Sequence, residues 1–369
     1  MKSGQLIIMK TMTWGRDSHN LFDYESRNCF KKQLQTSSSC QIARAETDVN
    51  LLSLPAESRR LGPNSNILAT VSQENGNFYI NSEDEPLWQI VRSLKTQDGP
   101  GHVLKKDDVI KLGRACYKIK ELNFGQDDSS SEQTQESEEE SMNEVPEEHE
   151  SGVCRICFCE SEPENPLIAP CNCTGSVKHI HLQCLQKWLS YHMSTKQSDN
   201  SAVYHWKTIE CELCKGTFPF SLGIKGKDHN LFQVEKSGMP YIVLEASGQG
   251  KGNAKGAHVI TFSNNSTVKL GRGHESDVRI SDISVSRCHA IIRFENNQFI
   301  LEDNNSKFGT LLQVAKPIGM TLNSTIALQC GRTVLALSLK AVNSNLGSLS
   351  PYDTSIDEAE NYVPYKRSL

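Results

Sequence analysis

Residues 171–184 read CNCTGSVKHIHLQC, with three cysteines, two histidines and a glycine in one short stretch. Around it stand further pairs: Cys154 and Cys157 as C-x2-C, Cys171 and Cys173 as C-x-C, His181 and Cys184 as H-x2-C, and Cys211 and Cys214 as C-x2-C. Four pairs make eight candidate ligands. A structural zinc takes four N or S ligands in a tetrahedron, so eight ligands make two closed sites with no open position for water. Such zincs hold a shape and do not catalyse; they replace a core too small to fold alone. The chain has 13 cysteines, an odd number, most of them between Cys154 and Cys214. That pattern favours metal ligation in a reducing compartment over a disulfide framework.

Local spacing supports the pairs. Leu182, Leu185, Trp188 and Leu189 recur at helical intervals, and His181 and Cys184, at i and i+3, face the same way on that helix. Pro170 and Gly175 flank the close thiols Cys171 and Cys173 and suit a tight loop. Cys159 and His179 fall outside the scheme. The first reads as a spare thiol, the second as solvent-facing or packed.

Composition sets the frame. The 369 residues suffice for two or three domains, and a hydrophobic content of 37% leaves part of the chain unpacked. A net charge of −5 argues against a nucleic-acid partner. The longest apolar runs, MPYIVLEA and TVLALSL, are strand-sized and predict no membrane span. The N-terminus lacks a signal-peptide pattern. A soluble intracellular protein of the cytoplasm or nucleus is the expectation.

The chain divides by composition. Residues 1–61 give no reading. Residues 62–123 read as strands, with Asn75-Gly76 as a turn. Residues 124–150 are crowded with Asp and Glu, hold no Lys or Arg, and read as a disordered acidic linker. Residues 151–220 hold the cysteine pairs, and 221–256 connect onward. Residues 257–341 read as strands again, with a hairpin about Asn296-Asn297 and Leu335, Leu337 and Leu339 alternating on one face. Residues 342–369 read as a tail.

The ligand order resembles the RING-CH (RINGv) family, over CRIC at 154, PCNCTGSVKHIHLQCLQKWL at 170–189 and CELCKGTF at 211–218. A PHD finger uses the same ligand types, but it spaces its third and fourth ligands more widely and carries a Trp just before the seventh; here Trp206 lies farther from Cys211. The gap from Cys184 to Cys211 is long for the family, and the stretch YHMSTKQSDNSAVYHW inside it has no assigned purpose. The resemblance implies a cross-brace: Cys154, Cys157, His181 and Cys184 on one zinc, Cys171, Cys173, Cys211 and Cys214 on the other. It also implies ubiquitin-protein ligase activity, with a ubiquitin-conjugating enzyme and ubiquitin as partners and no covalent ubiquitin intermediate on the ligase. By position, Ile156 and Trp188 would touch the conjugating enzyme, although both also suit packing inside the finger. Lys215 would hydrogen-bond ubiquitin.

The C-terminal stretch resembles the forkhead-associated (FHA) domain through Gly271-Arg272, Ser286-Arg287-Cys288-His289, Asp303 and NSKFGT at 305–310. The resemblance implies a β-sandwich whose loops bind phosphothreonine, with Arg272, Ser286, Arg287 and Lys307 near the phosphate and His289 bonding between loops. Phe308 stands where the family commonly has an Asn that fixes the peptide backbone. Residues 62–123 would be a second, degenerate FHA-like sandwich without a phosphate site. The expected fold is multidomain and mainly β, with a small α/β zinc domain. The expected function is a RING-CH ubiquitin ligase recruiting phosphothreonine proteins; the alternative is a non-catalytic zinc-binding scaffold that binds phosphopeptides.

Overall fold

The computed structural model describes residues 4–16, 19–54, 65–83, 85–91, 101–125, 152–198, 201–207, 210–219, 221–224, 227–231, 240–246, 256–262 and 266–342. The acidic linker from 126 onward and the tail from 343 lie outside the described residues. The fold is mainly β, and the one α-helix among the described residues is Leu182–Ser190. Two compact units form: Met1–Ile119 with Thr267–Leu369, and Lys120–Ser266.

The first unit is built on strands that alternate buried and exposed positions. Gly4–Trp14 buries Ile7, Met9 and Thr11 and leaves Lys10 outside. It pairs antiparallel with Thr333–Val342, placing Ile7, Met9 and Thr11 opposite Leu339, Leu337 and Leu335. All three leucines are buried, as their alternation requires. Cys29–Thr36 adds an outer strand. Thus the segment that carried no reading in the sequence supplies strands of a central sheet, together with Cys40–Ala45 and Asp48–Ser53 in a second sheet. Ile42, Leu68, Phe78, Ile80 and Leu87 fill the core between these strands and the leucines.

The strands expected between 62 and 123 are present, and several take partners from the C-terminal segment. Thr310–Gln313 pairs with Trp88–Ile90 on one side and Val109–Leu112 on the other. Thr325–Cys330 pairs with Trp88–Ile90, and Gln298–Asp303 with His102–Val103. Gly256–Thr261, read from the sequence as the start of the C-terminal sandwich, lies in the other unit. The two expected hairpin turns are where Asn and Gly can adopt positive φ: Asn75 and Gly76 at 49° and 83°, Asn296 and Asn297 at 51° and 58°.

In the second unit, the helix Leu182–Ser190 buries Leu182, Leu185 and Leu189 against Ile168, Ile180, Phe218 and Leu222. The stretch with no assigned purpose forms a hairpin, Ser194–Ser198 with Ser201–Lys207. Its second strand pairs with Gly256–Thr261, which in turn pairs with Tyr241–Ala246. Tyr241, Val243 and Val259 join the same core as the helix, so the cysteine-rich segment leans on strands C-terminal to it.

Candidate metal centres and phosphate loops

The backbone builds two knuckles of the same design. At Cys154, the amide of Cys154 donates to Cys159 O and that of Phe158 to Cys154 O, with Phe158 at a φ of 63°. At Cys211, the amide of Cys211 donates to Gly216 O and that of Lys215 to Cys211 O, with Lys215 at a φ of 59°. Each knuckle aims two sulfurs at one point. The helix start supplies His181 and Cys184 to the first; the loop at 171–173 supplies Cys171 and Cys173 to the second. The ligand atoms of Cys154, Cys157, His181 and Cys184 lie within 4.8 Å of one another, as do those of Cys171, Cys173, Cys211 and Cys214.

His181 shows that the first group is prepared for a cation. It is buried, and its Nε2–H donates to Glu160 O at 2.9 Å. Nδ1 faces Cys157 Sγ at 3.2 Å and Cys184 Sγ at 3.9 Å, the nitrogen placed to ligate a metal beside them. Burial pushes the Cys171 and Cys184 thiols up to about 12. Cys157 is drawn down to about 6, first by a backbone donor from Cys159. Burial opposes ionisation of Cys211, but backbone donors from Cys214 and Leu213 outweigh it and bring the thiol to about 6. Neither group can hold its sulfurs ionised together without a positive charge among them. Two closed Cys/His tetrads of this kind fit two zinc ions, one each.

The other expected residues are placed as follows. Ile156 is exposed on the first knuckle and Lys215 on the second. Trp188 is half-buried, 4.3 Å from the His192 ring and 6.0 Å from Phe218. Cys159 is exposed and donates to Cys157 O. Two features escaped the sequence reading. Phe158, Val177 and Leu213 are exposed apolar side chains on the same loops as Ile156 and the ligands. Arg155, inside the first knuckle, reaches the sulfurs of the second group.

In the first unit, three loops converge. The Arg272 amide donates to Ser286 O and the Gly273 amide to Arg287 O. Gly271 permits this approach, because a Cβ there would sit 2.1 Å from Arg287 O. Ser286 Oγ accepts from the Lys307 amide at 3.1 Å, so its own O–H remains to donate. His289, fully buried, accepts from the Ser286 amide at Nδ1 and donates from Nε2 to Gly309 O, both at 3.0 Å. Asp303 accepts from the Ser306 amide, Ser306 Oγ and Thr310 Oγ1, fixing the last loop. Arg272, Arg287 and Lys307 are exposed. Lys307 Nζ meets Asp23 Oδ2 at 3.4 Å, and Phe308 turns toward Trp14, ring centroids 6.4 Å apart.

Residues 154–214 match the RING-variant domain, and residues 268–329 match the FHA domain. The chain therefore carries a RING-CH zinc finger and an FHA domain. Over 73 residues it is 42% identical to the E3 ubiquitin-protein ligase MARCHF8 of Xenopus tropicalis, covering 20% of this chain and 22% of that protein. The human MARCHF8 matches at the same identity over 20% of each chain, and mouse MARCHF6 at 42% over 72 residues, 20% of this chain and 6% of its own. The matched stretch thus spans about a fifth or less of these relatives. The crystal structure of FHA-1 from Mycobacterium tuberculosis Rv1747 aligns at 20% identity over 22% of this chain and 85% of its own, with a TM-score of 0.12. No helix among the described residues is long and apolar enough to cross a membrane.

Proposed function

We propose that the chain is a RING-CH ubiquitin-protein ligase that recruits phosphothreonine-containing proteins through its FHA domain, in the cytoplasm or nucleus. The observation that carries the reading is the eight-ligand constellation within a stretch 42% identical to E3 ubiquitin-protein ligases. The zincs, held by Cys154, Cys157, His181 and Cys184 and by Cys171, Cys173, Cys211 and Cys214, supply rigidity to the two knuckles. The side chains on those knuckles do the rest. Exposed Ile156 and half-buried Trp188 give the conjugating enzyme apolar contact. Lys215, whose backbone N–H donates a hydrogen bond to Cys211 O, donates from its side chain to ubiquitin. The gain is orientation: a ubiquitin thioester on the conjugating enzyme is held ready for attack by a substrate lysine, and the lysine–ubiquitin amide forms as the thiol leaves. In the FHA domain, Arg272, Arg287 and Lys307 supply the positive charge and Ser286 a hydroxyl donor for a phosphate. The proposed division keeps 151–220 as the finger and starts the phosphopeptide module at Thr267 instead of 257, because Gly256–Thr261 lies in the unit of the finger.

The scaffold alternative has one observation in its favour: Trp188 packs against Phe218 and His192 instead of standing free. Autoubiquitination by the purified full chain with a panel of conjugating enzymes separates the two. The expected result is ubiquitin chain formation that Ile156→Ala reduces strongly while elemental analysis still finds two zincs. Two zincs with no transfer from any conjugating enzyme leaves the scaffold. Separately, Arg272→Ala is expected to weaken binding of a phosphothreonine peptide by about tenfold or more, as loss of a charge-assisted hydrogen bond requires.

A further inference from the structure

Arg155 lies between two ligands of the first tetrad, yet its side chain belongs to the second. Its Nη1 donates to Cys173 Sγ at 3.5 Å and lies 3.9 Å from Cys171 Sγ, and its Nη2 donates to Cys211 Sγ at 3.6 Å. Nη1 also donates to Val177 O at 2.8 Å, and the Arg155 amide donates to His179 O at 3.0 Å. Three of the four thiols of one site are therefore bonded to a single planar group anchored on the other. We propose that Arg155 couples the two zinc sites, so that filling of the histidine-bearing site prepares and stabilises the all-cysteine site.

The physical basis is charge and geometry. Four thiolates about a divalent zinc leave two negative charges in excess, whereas three thiolates and an imidazole leave one. The all-cysteine site has more to gain from a neighbouring cation. A guanidinium offers several N–H donors in a fixed plane and so can serve three sulfurs and a carbonyl together; a lysine ammonium is a single point. Metal in the first tetrad fixes the backbone from Cys154 to Cys157 and hence the root of the Arg155 side chain. Its guanidinium is then placed for the second tetrad, and by linkage the second site favours filling of the first to the same degree. A role confined to holding Val177 O would involve no sulfur at all.

The test is a double-mutant cycle on the full chain, read by metal affinity. Cobalt(II) is titrated in place of zinc, because a site of three sulfurs and one imidazole and a site of four sulfurs have different charge-transfer and d–d bands; zinc affinity follows by competition. In wild type, Cys157→Ser, which disables the first site, is expected to weaken cobalt binding at the all-cysteine site by on the order of tenfold. With Arg155→Met already present, the all-cysteine site starts weaker and Cys157→Ser adds no further loss there. Arg155→Lys, which keeps charge with fewer donors, is expected to weaken the all-cysteine site less than Arg155→Met and to leave the bands of the histidine-bearing site unchanged. The idea is overturned if Cys157→Ser costs the all-cysteine site equally with and without Arg155. It is also overturned if Arg155→Lys binds cobalt at the all-cysteine site as wild type does, a result that stands even should Arg155→Met fail to fold.

Discussion

Lowering the pH from about 7.5 to about 5.5 is expected to destabilise the unit that contains the FHA domain, and His289 is the reason. The imidazole is fully buried, accepts the Ser286 N–H at Nδ1 and donates to Gly309 O from Nε2. One ring nitrogen must accept and the other must donate, so the site holds the neutral form. A proton on Nδ1 would confront the Ser286 N–H. Burial accordingly depresses the pKa of His289, against the opposing pull of nearby Asp303 and the Gly309 carbonyl. In the unfolded chain the histidine takes up its proton near pH ~6.5. Below that pH the unfolded state binds more protons than the folded one, so stability falls as pH falls and is regained as pH rises through the same window. One unit below the unfolded pKa the loss approaches about 1.4 kcal/mol. The assay is urea unfolding of the full chain at both pH values, with hydrogen exchange of amides in 267–342 to assign the transition. His289→Asn serves as the reference, since it lacks the titration while other groups remain. Wild type should lose up to about 1.4 kcal/mol more than the variant. An equal pH dependence in the two proteins would refute the reasoning.

Two further outcomes follow from the same loops. Asp303→Ala strands three donors, the Ser306 amide, Ser306 Oγ and Thr310 Oγ1, in a fully buried position; urea unfolding should show a loss of about 3 kcal/mol or more. Asp23→Asn removes the carboxylate 3.4 Å from Lys307 Nζ, which frees the ammonium for a phosphate; calorimetric titration with a phosphothreonine peptide should show severalfold tighter binding, and unchanged affinity would remove Lys307 from the site.

How much of this was legible in the sequence depended on range. The zinc tetrads are assembled from pairs that are each local, C-x2-C, C-x-C or H-x2-C, so spacing alone exposes the ligands. Leu182, Leu185 and Leu189 betray the helix for the same reason. Arg155 was invisible because an arginine beside a cysteine reads as a solvated charge; only the fold brings Cys173 and Cys211 to it. The turns at Asn75-Gly76 and Asn296-Asn297 were legible because positive φ selects those residues. The partners of the strands were not. Thr310, Leu311 and Leu312 are buried in succession, so this strand is covered on both faces, but nothing local says that Trp88–Ile90 and Val109–Leu112 lie on either side of it. Cys29–Thr36, reading CFKKQLQT, is an outer strand with little apolar alternation, so residues 29–36 carry no strand signal in the sequence.

Phe308 joins these levels. From the sequence it is a departure at a position where the FHA family commonly uses an Asn to fix the peptide backbone. In the structure it packs at the margin of a cluster of Trp14, Phe22, Tyr24 and Trp88. The Tyr24 amide donates to Lys307 O, and a Cβ on Gly309 would strike the Tyr24 ring. The loop that carries Lys307 is therefore shaped by Trp14 and Tyr24 as well as by its own neighbours. An Asn at 308 would leave that aromatic cluster unfilled, and removing residues 14–24 would expose it. The edge of this FHA domain that carries Lys307 thus draws on residues outside 268–329; on the proposed phosphopeptide reading, Arg272, Arg287, Lys307 and Ser286 would anchor the peptide without a side-chain amide at 308.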